Sequence, residues 1–165
     1  MGLDILFVHT NASEKIYQGL STKHSAIEPP IWAAMLANHC RVRNFGVQIL
    51  DCEAEGLGWT DSAKIINDID AKVVCFVVYG QQPSASSQNM SGAIGTAKLL
   101  KRLNPNAKTL FVGGHISALP LDVLKEECVD MVCQNEGVYT ISNLLMTDFS
   151  EQQLKLVKGL GYKIN

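Results

Sequence analysis

Aromatic residues are scarce and neither sign of charge prevails: Phe, Trp and Tyr make up 7% of the chain and the formal net charge is -2. Without a basic cluster or interleaved aromatics there is no platform for nucleic acid, and nothing steers the chain to an anionic membrane. No apolar run approaches the ~20 residues needed to cross a bilayer. The charge-poor start DILFVH is short and lacks a basic leader, so no signal peptide is expected. Five cysteines (Cys40, Cys52, Cys75, Cys128 and Cys133) form no C-x-x-C pair. An odd number scattered over apolar segments suits core packing in a reducing cytosol better than a disulfide framework, so a cytoplasmic protein is expected. Cys128 and Cys133 lie closest, with a loop between them, and read as core residues rather than metal ligands. There is no G-x-G-x-x-G after the first apolar run and no P-loop, which argues against NAD and nucleoside triphosphates. Asn11-Ala12-Ser13 matches a glycosylation sequon, accidental in a cytosolic chain.

What is present centres on Leu110 to Pro120, LFVGGHISALP. An apolar run ending in paired glycines reads as a buried parallel strand whose tip meets something too close for a Cβ. Similar runs occur at Asp4–Val8, Val47–Leu50, Lys72–Val78 and Asp130–Cys133. Helical patterns lie between them: Ile31–Val42, with Ile31, Met35, Leu36 and Val42 as its apolar face; Thr60 or Asp61 to Asp68; Met90–Leu103, with Ile94, Leu99, Leu100 and Leu103 inward and Lys98, Lys101 and Arg102 outward; Pro120 to Glu127; Val138–Met146. Tyr79 to Asn89 is polar and turn-rich and reads as a loop. Five strands alternating with helices predict one α/β domain, Rossmann-like (flavodoxin-like), with a five-stranded parallel sheet of order 2-1-3-4-5 and helices on both faces. Residues 1–150 carry this rhythm, and residues 151–165 read as a tail or the start of a linker.

In such a sheet the carboxyl ends of the strands bind ligands. Four loops crowd that edge: His9 to Ser13, Tyr79 to Ser87, Gly113 to Ala118 and Gln134 to Gly137. Amides, hydroxyls, glycines and histidine suit hydrogen bonding to a large polar organic ligand. They suit acid–base catalysis poorly, since Glu136 is the edge's one carboxylate and no nucleophile–base pair stands out. A phosphoacceptor receiver needs acidic residues where this chain has His9 and Tyr79. A flavodoxin-like flavin-binding electron carrier remains an alternative, since Thr10, Asn11 and Ser13 could form a phosphate loop.

The order and spacing of these segments resemble the N-terminal cobalamin-binding domain of cobalamin-dependent radical SAM enzymes. The resemblance rests on the first strand and its polar loop, Glu28-Pro29-Pro30 opening the first helix, Asp51 ending the second strand, Gly113-Gly114-His115-Ile116-Ser117-Ala118-Leu119-Pro120, and the Asp130–Gly137 strand and turn. Gln134 and Asn135 depart from that family's basic residue and glycine, while Glu136-Gly137 match.

The resemblance implies a corrin ring across the strand ends with its nucleotide tail tucked into the sheet edge. His9, Thr10, Asn11, Tyr79, Gly80, Gln81, Gln82, Gly113, Gly114, His115, Ser117, Glu136 and Gly137 become the candidate cofactor-binding residues. Related domains ligate cobalt through Asp-x-His-x-x-Gly, which is missing here; His9 is the candidate left for the metal. His24 and His39 read as surface residues. A 4Fe-4S cluster needs C-x-x-x-C-x-x-C, also missing, so the cluster and S-adenosylmethionine would belong to a downstream catalytic domain or subunit. On this reading the chain binds cobalamin and does not itself catalyse.

Overall fold

The computed structural model describes residues 2–12, 29–80 and 83–164. Among these residues six strands form one sheet in the order β2-β1-β3-β4-β5-β6: β1 is Ile5–His9, β2 Val47–Asp51, β3 Val73–Val78, β4 Thr109–Gly113, β5 Met131–Cys133 and β6 Leu160–Tyr162. The first five are parallel, in the order that the alternation of strands and helices predicts. β3 (VVCFVV) and β4 (TLFVG) are buried at every position, which is why they read as unbroken apolar runs.

Side chains alternate between two cores. Leu6, Val8, Val74, Phe76, Val78, Phe111 and Val132 face one helical layer, where the Phe76 and Phe111 rings stack 4.8 Å apart. That layer holds α2 (Trp59–Ile69), α3 (Pro83–Leu103), α4 (Gly114–Ala118) and α5 (Pro120–Leu124). Ile5, Phe7, Val73, Cys75, Val77, Leu110 and Val112 face the other layer, α1 (Ile31–Arg41) and α6 (Val138–Leu145). The arrangement is a doubly wound, Rossmann-like sandwich.

Four expectations need correction. The buried face of α1 is Ala33, Leu36, Ala37 and Cys40, while Ile31, Met35 and Val42 are 61%, 54% and 65% exposed. Small side chains let the helix lie close on the sheet, so the larger ones turn outward. α3 starts at Pro83, seven residues before the expected Met90, and so takes over most of the predicted loop. Proline suits a first helical turn, and the Ser- and Gln-rich stretch after it is held by Ser86, which bonds Val78 of β3 and His115 of α4. Ile94, Leu99 and Leu100 pack inward as expected, with Ala93 and Ala97 beside them; Leu103 is half exposed, and Lys101 turns back to bond Asp130 at 2.8 Å. α2 begins at Trp59 behind Gly58, with no side-chain cap from Thr60 or Asp61.

The fourth concerns residues 151–165. A short helix, α7 (Glu151–Leu154), leads into β6, which pairs antiparallel with β5 in the register Met131↔Tyr162, Val132↔Gly161 and Cys133↔Leu160. A strand of three residues with a central glycine leaves no periodic trace in the sequence. Glycine is needed there, because a Cβ on Gly161 would lie 2.8 Å from Val132 Cγ2.

Candidate functional site

The carboxyl ends of β1, β3, β4 and β5 bring the predicted loops to one rim. His9 closes β1, and its Nδ1 lies 3.1 Å from Asp51 Oδ1 at the end of β2. Their pairing follows from register, since His9 and Asp51 are opposite partners in the ladder. Asp51 Oδ1 also accepts the Ala54 N–H at 3.1 Å. A carboxylate only accepts, so the neutral imidazole carries its proton on Nδ1 and presents Nε2 as an acceptor. Thr10 is turned away from the rim and is 4% exposed. Both it and the Asn11 carbonyl press on Gly92 of α3, where a Cβ would lie 2.7 Å from Asn11 O, and that carbonyl accepts the Trp59 indole N–H at 3.1 Å. Ser13, His24, Glu28, Gln81 and Gln82 lie outside the described residues.

At the tip of β3, Tyr79 is half-buried and stacks on Trp32 of α1 with ring centroids 4.4 Å apart. Its hydroxyl donates to the Asn135 carbonyl at 3.2 Å, and Ser117 donates to the same carbonyl at 3.1 Å. The turn after β5 is thereby tied to both neighbouring loops. Burial, with Glu136 and two buried thiols adding to it, pushes the Tyr79 phenol up to about 12. Asn89 of α3 donates its amide to the Tyr79 carbonyl at 2.9 Å.

The paired glycines have different reasons. A Cβ on Gly113 would lie 2.7 Å from the Val78 carbonyl carbon and closer still to its oxygen, so what comes too near is strand β3 itself. Gly114 is exposed, and a Cβ there would meet nothing nearer than Ser86 at 3.7 Å. Its open side faces solvent at the rim. Gly80 makes room for Ala85 in the first turn of α3. Gly137 adopts φ 74°, a left-handed conformation natural to glycine, against Val112.

Sequence reasoning missed Ser86, which is buried and donates its hydroxyl to the Val78 carbonyl at 2.5 Å while accepting the His115 N–H at 3.0 Å. Ser87 bonds His115 Nδ1 at 2.8 Å, so the β4 loop is bound to α3 at two points. Glu136 is exposed at the rim. His39 is not a plain surface residue. It is half-buried, bonds Ser142 at 3.3 Å, and burial, with Arg43 adding to it, holds its pKa below the ordinary histidine value.

Beside this rim a cavity of about 310 Å³ opens between α1 and the ends of β1 and β3, at the lower end of small-molecule sites. His9, Pro29, Ile31, Trp32, Val77 and Tyr79 are among its lining residues. Trp32 carries no signal in the sequence pattern, and Ile31 and Met35, expected on the buried face of α1, line this cavity instead. No group of three or more His, Cys, Asp or Glu able to hold a bare metal ion exists among the described residues. An exposed Gly114 backbone at the end of β4 and an apolar cavity at the ends of β1 and β3 leave room at this sheet edge for a flat ligand with an appendage.

Rim and cavity both lie at the strand ends, where doubly wound α/β folds take their ligands. The family model of the B12 binding domain matches residues 18–145, and the chain belongs to that family. It is 33% identical over 138 residues to an uncharacterized methyltransferase of Pyrococcus horikoshii, covering 83% of this chain and 28% of that protein. Its fold is similar to that of the radical S-adenosylmethionine methyltransferase TsrM from Kitasatospora setae with cobalamin and a [4Fe-4S] cluster bound, with TM-score 0.68, 14% identity, and coverage of 97% of this chain and 29% of that one. It is also similar to the cobalamin-dependent enzyme OxsB with aqua-cobalamin and S-adenosylmethionine bound, with TM-score 0.66, 16% identity, and coverage of 98% and 21%. The chain thus spans less than a third of the length of these relatives. Among the described residues no helix is long and apolar enough to cross a membrane.

Proposed function

We propose that this chain holds cobalamin with the corrin over the rim formed by Gly114, His115, Ser117 and the Asn135–Glu136 turn, and the nucleotide tail in the cavity beside Trp32 and Tyr79. The observation that carries the reading is the apolar cavity at the ends of β1 and β3, at the same sheet edge as the glycine-bearing loops, within a B12-binding family fold. The family match favours cobalamin over the flavin alternative. Bound cobalamin would supply a cobalt centre able to carry an alkyl group. The residues of this chain bind and orient it: Ser86 and Ser87 fix the β4 loop, and Tyr79 and Ser117 fix the β5 turn.

The reaction itself would belong to a catalytic domain or subunit with a 4Fe-4S cluster, as bound in the TsrM structure, and S-adenosylmethionine, as bound in the OxsB structure, so the chain alone binds without catalysing. Five free buried thiols are in keeping with a cytoplasmic setting. The test is titration of the purified protein with hydroxocobalamin, followed by difference absorbance and gel filtration. A one-to-one coloured complex is expected. Co-elution with flavin mononucleotide instead, or with neither, refutes the reading.

A further inference from the structure

Among the described residues the side chains lining the cavity are apolar apart from His9: Pro29, Pro30, Ile31, Trp32, Ala33, Met35 and Val77 offer no hydrogen-bonding side chain beyond the Trp32 indole, and the Tyr79 hydroxyl is already given to Asn135 O. His9 has the opposite character. Its side chain is 13% exposed, its Nδ1–H is held by Asp51, and Nε2 has no partner among the described residues. Asp51 is in turn fixed by the Ala54 N–H, so the ring cannot turn without breaking a bond at its carboxylate. An oriented, half-buried acceptor in an apolar cavity is a device for recognising one hydroxyl or amide donor on a ligand.

We propose that His9, positioned by Asp51, is the residue by which this cavity distinguishes corrinoids that carry a nucleotide tail from those without one. Its Nε2 accepts a hydrogen bond from a sugar hydroxyl of the tail. Apolar walls supply affinity for the base but little discrimination. A neutral hydrogen bond of this kind changes affinity by about tenfold at most. The proposal rests on the reading of the cavity as the tail site.

The test compares hydroxocobalamin with aquocobinamide, which has the same ring and no nucleotide, on the full chain. Dissociation constants are measured by absorbance titration and equilibrium dialysis for wild type, His9→Phe and Asp51→Asn, with thermal melts to show that each variant is folded. Wild type is expected to prefer hydroxocobalamin. Both substitutions should weaken hydroxocobalamin roughly tenfold or less and leave aquocobinamide unchanged. Equal weakening of the two corrinoids, or unaltered hydroxocobalamin affinity in folded His9→Phe, overturns the proposal. So does nitrogen splitting in the electron paramagnetic resonance spectrum of the cobalt(II) form that vanishes in His9→Phe, because the imidazole would then be on the metal. If wild type binds neither corrinoid, the cobalamin reading itself has failed. If it binds both equally, only the His9 assignment falls.

Discussion

Gly113 and Gly114 are adjacent, chemically identical, and should respond oppositely to a single methyl group. In Gly113→Ala the new Cβ would lie 2.7 Å from the Val78 carbonyl carbon and 3.1 Å from Ile116 Cδ1, with the Val78 oxygen nearer still. Ordinary carbon contacts begin near 3.5 Å, so β3 and β4 must separate at the Val78↔Gly113 pair. Overpacking of this kind costs about 1–3 kcal/mol. At roughly 2–4 °C per kcal/mol for a domain of this size, Tm should fall by about 2–12 °C. In Gly114→Ala the Cβ meets only Ser86 at 3.7 Å, so stability should stay within about 0.5 kcal/mol of wild type. The corrinoid side reverses the order of interest: folded Gly114→Ala should bind hydroxocobalamin more weakly, because the added methyl stands on the open side of the rim. Circular dichroism melts and the absorbance titration read the two effects separately. A Gly113→Ala protein as stable as wild type would refute the strand-contact argument. A Gly114→Ala protein with unchanged affinity would refute close approach of the cofactor at that residue.

Three further outcomes follow from burial. The Cys40 and Cys52 thiols are pushed up to about 11 and Cys133 to about 12, each first by burial, and those of Cys75 and Cys128 are also raised by burial. Thiolate is the reactive form, so at pH 8 the native protein should not react with a chromogenic disulfide reagent, while all five thiols react in guanidinium; a rapid native reaction would contradict the buried placement. Because the folded values lie above the ordinary 9.0, this contribution to stability is complete below pH 9 and is lost as the pH rises toward 11–12, which alkaline denaturation curves should show. Ser86→Ala removes a buried hydroxyl that serves both Val78 O and His115 N–H, and should cost about 1–3 kcal/mol in urea unfolding while freeing the β4 loop; a loss below about 0.5 kcal/mol would show the bridge to be incidental.

The central strands were legible because burial on both faces leaves unbroken apolar runs, as in VVCFVV and TLFVG. Their alternation with helices was enough to fix the parallel order. Helix faces were less legible because a large apolar side chain at helical spacing does not always face the sheet. In α1 the small Ala33 and Ala37 face the sheet, and Ile31 and Met35 border a cavity. The first turns of α3 look like a loop by composition, and only contact with Val78 and His115 explains their helical Ser86 and Ser87. At the site, topology alone brought Tyr79, His115, Ser117 and the β5 turn together. It also drew in Thr10, whose side chain is buried against α3. The His9–Asp51 bond depends on strand register and the Trp32–Tyr79 stack on how α1 sits, neither of which a local pattern encodes.

β6 governs how the polypeptide behaves when trimmed. Its three residues occupy the outer hydrogen-bonding margin of Met131–Cys133, and Gly161 brings them flat against Val132. A fragment ending at residue 150 would leave an apolar strand margin bare, the kind of template onto which other chains add and from which precipitates grow. Soluble preparations of this fold should therefore extend beyond Tyr162.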